Sequence, residues 1–99
     1  MQEQLNNAEK LREAIRNMHG CESVHVESVP VTERFQGAVV WDGTIEVFDL
    51  VSRPQAKQCF AWSHPDGGGE RFFAVLALPP VTTPIDAVRA AIVSESKKR

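Results

Sequence analysis

The sequence predicts an α+β domain: an N-terminal helix, a five-stranded antiparallel, meander-like sheet able to curl over itself, and a C-terminal helix. Three observations carry this reading. Apolar residues recur at three- and four-residue steps over 4–19, alternation of period two fills most of 23–78, and helical spacing returns after Thr83.

In the first helix Leu5, Ala8, Leu11, Ala14 or Ile15, and Met18 form a stripe, while Glu9, Lys10, Arg12, Glu13 and Arg16 take the other face. Gly20 follows the stripe, where a left-handed helix cap is expected. Val24 and Val26 then alternate with His25 and Glu27, giving a strand that Pro30 ends or confines to a sheet edge. The segments 35–41 and 44–51 read as a hairpin closed by Asp42 and Gly43, a preferred pair for a two-residue turn. That turn would set Trp41 opposite Thr44, Val40 opposite Ile45 and Ala38 opposite Val47. After a short connection at 52–56, strands at 58–63 and 71–78 flank Pro65, Asp66 and three glycines, a hairpin with a loose tip. Pro79 and Pro80 stop the last strand. Thr83 suits an N-cap, with Pro84 at the first helical position and Asp86 at the third, before Ile85, Val88, Ala91 and Ile92.

At 99 residues the chain is one domain, taken as 1–96 with a basic tail at 97–99. Lys97, Lys98 and Arg99 hold three of the 11 basic residues, leaving a body with 13 acidic side chains and scattered positive charge. Such a body disfavours a phosphate backbone as partner, which makes nucleic-acid binding a third-ranked reading. No stretch reaches the length of a membrane span, the start lacks the basic and apolar regions of a secretory signal, and Cys21 and Cys59 form no paired motif. A cytoplasmic protein with reduced thiols is expected.

Catalytic and cofactor signatures are missing: there is no GxGxxG, Walker loop, HExxH or GxSxG. The glycine triplet opens no helix and is flanked by Asp66 and Glu70, so a plain turn is favoured over a phosphate cradle. His19, Cys21 and His25 match no common zinc spacing, and Cys59 and His64 fall on opposite strand faces. No cofactor and no metal are expected. The reading leans away from an enzyme.

The apolar residues of the sheet lie on both of its faces. In the last two strands Cys59, Ala61 and Ser63 share one parity and Phe60, Trp62 and His64 the other. With Pro65 opposite Glu70, Trp62 meets Phe73, Phe60 meets Val75 and His64 meets Arg71. A one-sided wet sheet would alternate cleanly, so the second face needs cover: a helix on each side, a curled sheet, a second copy, or a ligand. The leading expectation is a non-catalytic binding or assembly module, associating with itself or with another protein through Phe60, Trp62, His64, Phe73 and Arg71. The rival is a small enzyme or ligand-binding domain whose cleft gathers Asp49, Arg53 and His64 beside Trp41, with Asp49 and Arg53 alternatively forming a structural ion pair.

The stretch from Gly43, Thr44, Ile45, Glu46 to Leu50, followed by Pro54, Ala56, Lys57 and Cys59, Phe60, Ala61, Trp62, Ser63, His64, resembles a group of small bacterial proteins of unassigned function, and the resemblance extends to 87–92. It implies a bacterial cytosolic protein and no particular chemistry. The order helix, strands, helix also resembles that of double-stranded RNA-binding domains. Those grip phosphate with a basic start to the second helix, where this chain has Thr83, Pro84, Ile85 and Asp86, so no RNA role is carried over.

Overall fold

The computed structural model describes residues 2–97, with side chains over 8–65 and 67–94; Lys98 and Arg99 of the expected basic tail, and the side chains of Leu5 and Lys97, lie outside the described residues. The elements run α1 (Gln2–His19), β1 (Ser23–Phe35), β2 (Ala38–Leu50), β3 (Gln58–Asp66), β4 (Gly69–Leu76) and α2 (Pro84–Lys97). The strands form an antiparallel sheet in the order β1-β2-β3-β4. The fold is α+β as expected, but the sheet has four strands and not five.

The difference arises at Asp42 and Gly43, which sit inside β2 with Asp42 opposite Thr32 and Gly43 opposite Val31. The chain reverses instead at Gln36 and Gly37, both at positive φ (53° and 81°), the backbone of a two-residue hairpin turn. Reversal at 36–37 lets β1 pair with β2 over its whole length, from Ser23 opposite Leu50 to Phe35 opposite Ala38. It also places Val31, Ile45 and Val47 in one buried row. A turn at 42–43 would forfeit those rungs, so long-range pairing overrides local turn preference. Gly43 has another use there: a Cβ on it would come within 3.0 Å of the Trp41 ring, which lies over the glycine. Because β2 continues without a turn, Trp41 shares its face with Ile45 and Val47 and not with Phe48 and Leu50 as the shorter hairpin required.

Pro30 does not end β1. Leu50 N–H donates to the Lys57 carbonyl, so even-numbered β2 residues direct their backbone toward β3. Pro30 faces one of them, Thr44, and its nitrogen therefore points off the outer edge of the sheet, where no ladder bond is lost. Farther on, Gly67 and Gly68 supply two positive φ values and make a tight turn between β3 and β4, with Trp62 opposite Phe73, Phe60 opposite Val75 and His64 opposite Arg71 as read from the sequence.

The helices cover opposite faces, which resolves the excess of apolar strand surface. Leu11 and Ile15 of α1 pack on Phe48, Cys59 and Ala61, where the small strand residues allow close approach. Ala87 and Val88 of α2 pack on Val31, Ile45, Val47, Phe60 and Trp62. Helix α1 ends at Gly20, at φ 70°, whose N–H bonds the Arg16 carbonyl at 2.8 Å. Helix α2 opens with the expected reciprocal cap: Thr83 Oγ1 accepts from Asp86 N–H at 3.4 Å, and Asp86 Oδ2 accepts from Thr83 N–H at 3.2 Å. The capping amides and hydroxyls hold the Asp86 carboxyl below its usual range.

Candidate functional site

The aromatic face expected to make contacts is a continuous stack. Trp41 from β2 meets Trp62 from β3 edge-on, with ring centres 5.9 Å apart, and Phe73 from β4 lies parallel to Trp62 at 5.0 Å. His64 stacks on Phe73 at 5.2 Å, and the Arg71 guanidinium lies over the same ring at 5.1 Å. This stack is mostly interior. Phe60 and Trp62 are each 3% exposed beneath α2, while Trp41 and Phe73 are half-buried. Phe60 and Trp62 are thus core residues, and the stack meets solvent at its rim, at Trp41, His64, Arg71 and Phe73. The Trp62 Nε1 is buried without a hydrogen-bond partner.

The residues of the rival cleft are not brought together. Asp49 lies opposite Gln58, whose Nε2 donates to it at 3.1 Å. His64 is six residues farther along the strand that holds Gln58, roughly 20 Å away at about 3.3 Å per residue. Shared proton transfer needs contacts of about 3 Å. Arg53 does not pair with Asp49; its Nη1 donates to the His19 carbonyl at 2.9 Å and thereby ties the 52–56 connection to the end of α1. Trp41 packs on Trp62 and Gly43, eight residues along β2 from Asp49.

The remaining polar groups also have structural partners. His19 Nε2 bonds the Ala74 carbonyl at 2.7 Å. Glu46 accepts from Ser28 Oγ and bonds His25 Nε2 at 2.7 Å. The carboxylate sits between serine and imidazole, so Ser28 bonds Glu46 and not His25, and no serine–histidine pair forms. Cys59 is fully buried, and burial together with nearby Cys21 pushes its thiol up to about 12, against a smaller opposing pull from Arg53. It is an inert core thiol at neutral pH. Among the described residues no group of three His, Cys, Asp or Glu side chains converges to hold a metal ion, and no helix is long and apolar enough to cross a membrane.

What the sequence reading missed is the β1–β2 arm. Strand β2 meets β3 only between Glu46 opposite Ala61 and Asp49 opposite Gln58, whereas it pairs β1 as far as Ala38. From Glu46 to the turn the hairpin therefore projects as a two-stranded arm, roughly 26 Å long at about 3.3 Å per residue. Helix α2 covers its inner part through Val31 and through Arg89, which holds Glu33 at 2.7 and 3.3 Å and keeps the Glu33 carboxyl below its usual range. Beyond Glu33 the described residues leave it open: Phe35 is 64%, Val39 50% and Val40 49% exposed. A signal for this was present in Gly37, which suits the second position of a primed turn. Comparison with protein-family models, characterised proteins and solved structures finds no match to the chain.

Proposed function

We propose that this protein is a small non-catalytic assembly module that associates with a second copy of itself through the β1–β2 arm. The observation that carries the reading is the exposed apolar tip, Phe35, Val39 and Val40, at the outer end of an arm whose inner part alone is covered by α2. Folding alone gives no reason for apolar side chains there, since among the described residues none of the three belongs to either core cluster. The amount of exposed surface supports the same reading. The chain exposes 6680 Å², on the order of 1,000 Å² more than the roughly 5,600 Å² of a compact 11 kDa monomer. A stable interface buries about 800 Å² per partner. The contact surface is thus the arm and not the centre of the aromatic sheet face, whose Phe60 and Trp62 serve the core. Two free cysteines fit a reducing, cytoplasmic setting.

Light scattering coupled to size exclusion tests the proposal. The parent chain is expected to be a dimer, and Phe35→Ser a monomer whose unfolding midpoint equals that of the parent diluted until it is monomeric. A parent chain that stays monomeric across the soluble concentration range refutes it.

A further inference from the structure

Self-association through the arm leaves open what receives its tip, and three surfaces compete. The outer edge of β4 would take an added strand, but two of its outward carbonyls are already engaged: Ala74 by His19 Nε2 at 2.7 Å and Leu76 by the Leu78 N–H at 2.9 Å. The exposed valines at the opposite end of the arm hairpin, Val24 and Val51, stand on open strand surface and line none of the described recesses. The third surface is a recess of about 510 Å³ between α1 and β4, with Ala14, Met18 and Phe72 as its apolar lining and Lys10, Glu13 and Glu70 at its rim.

We infer that the arm tip of one copy docks in the α1/β4 recess of a second copy, Phe35 entering beside Met18 and Phe72 and Arg34 meeting the rim carboxylates. This rests on the self-association proposed above and adds to it the receiving site. The chemistry on the two sides is complementary. Phe35 is 64% and Met18 52% exposed, and a thioether is an adaptable, favourable neighbour for an aromatic ring. The Arg34 guanidinium has no ion-pair partner among the described residues, and Glu13 has only the longer-range attraction of Arg16 along α1. Glu70 is held only at long range, by Lys10 at 3.4 Å and Ser63 at 3.3 Å, so it can accept a further donor. Each copy carries one tip and one recess, so two arms exchanged about a two-fold axis satisfy both sites in a closed pair and leave neither bare.

Phe35→benzoylphenylalanine, irradiated in a mixture of ordinary and heavy-isotope chains, reads the contact directly. The expected product is an adduct between chains on the segment carrying Ala14 and Met18 or on that carrying Phe72. Charge exchange gives an independent readout: Arg34→Glu and Glu13→Arg should each weaken dimerisation by about tenfold or more, and the double variant should recover most of that loss. A dimer whose adducts map elsewhere, or whose double variant is no better than the singles, overturns the recess as receiving site while sparing self-association. A monomeric parent chain overturns both.

Discussion

Replacing Trp62 by alanine separates a core role from a contact role on the aromatic face. The indole is 3% exposed, lies under Val88 of α2, and touches rings on both sides, Trp41 at 5.9 Å and Phe73 at 5.0 Å. Truncating a buried aromatic to alanine costs about 3 to 5 kcal/mol, because the surrounding packing collapses only in part. A domain of this length has a total stability of about 5 to 15 kcal/mol, so the change removes about a fifth of it or more. With a urea slope near 1 to 1.5 kcal/mol/M, the unfolding midpoint should fall by about 3 M. Trp62→Phe makes the complementary case. It keeps a ring between Trp41 and Phe73 and deletes Nε1, a buried donor with no partner. Relief of that unpaired group, worth about 1 to 3 kcal/mol, offsets much of the lost indole area, so the phenylalanine variant should lose less than about 1.5 kcal/mol. Equilibrium urea unfolding followed by far-UV circular dichroism measures both. If Trp62→Ala stays within about 1 kcal/mol of the parent while dimerisation disappears, the residue is a contact and the assignment to the core is wrong.

Two further perturbations test the fold around the arm. Gln36 occupies φ 53°, a conformation that asparagine tolerates better, so Gln36→Asn should stabilise the chain by about 0.5 kcal/mol in the same urea assay, and a loss would contradict a primed turn at 36–37. Acid should weaken the fold through Glu22, Glu33 and Asp86, whose carboxyls are held low by Arg16, by Arg89 and by the α2 cap respectively. Their folded values lie below the unfolded ones, so their contribution is complete above the ordinary carboxylate range near pH 4.3 and is lost as pH falls through the depressed values. Stability measured between pH 6 and pH 3 should therefore fall with pH, and Glu33→Gln should flatten part of that slope; an unchanged slope would show that the Arg89 pair contributes nothing.

Where a feature depended on residues close in sequence, it could be read. Thr83, Pro84 and Asp86 cap α2 because the cap is made within four residues, and Gly20 ends α1 for the same reason. The β3–β4 register was legible because Gly67 and Gly68 both adopt the positive φ that a tight turn needs. The β1–β2 turn was not, since Asp42 and Gly43 carry a strong local turn preference that twelve residues of alternative pairing on either side overcome, and Gln36 gives no hint of a left-handed backbone. The parity of Cys59 and Ala61 told that a helix approaches closely, but not that the two helices divide the faces and enclose Phe60 and Trp62. Arg53 was assigned to the nearby Asp49, whereas its partner is a helix-end carbonyl 34 residues away, a contact set by the docking of α1 and invisible to spacing.

The displaced turn is also what creates the candidate surface. Ala61 stands opposite Glu46, so straight continuation of both strands would bring Pro65 level with Asp42. A reversal at 42–43 would have ended the first hairpin beside the tip of the second, which closes with Asp66 opposite Gly69. Moving the reversal to 36–37 carries the arm roughly 20 Å farther at about 3.3 Å per residue. The inner part of that extension serves stability, because it buries Val31 beside Ile45 and gives Arg89 a carboxylate to hold. The outer part does not: Phe35, Val39 and Val40 gain no cover from α2, and polar side chains would satisfy a solvated hairpin end equally well. Core packing thus explains why the arm is long enough to clear the body but leaves its apolar end without a reason, and the proposed burial against a second copy would supply one.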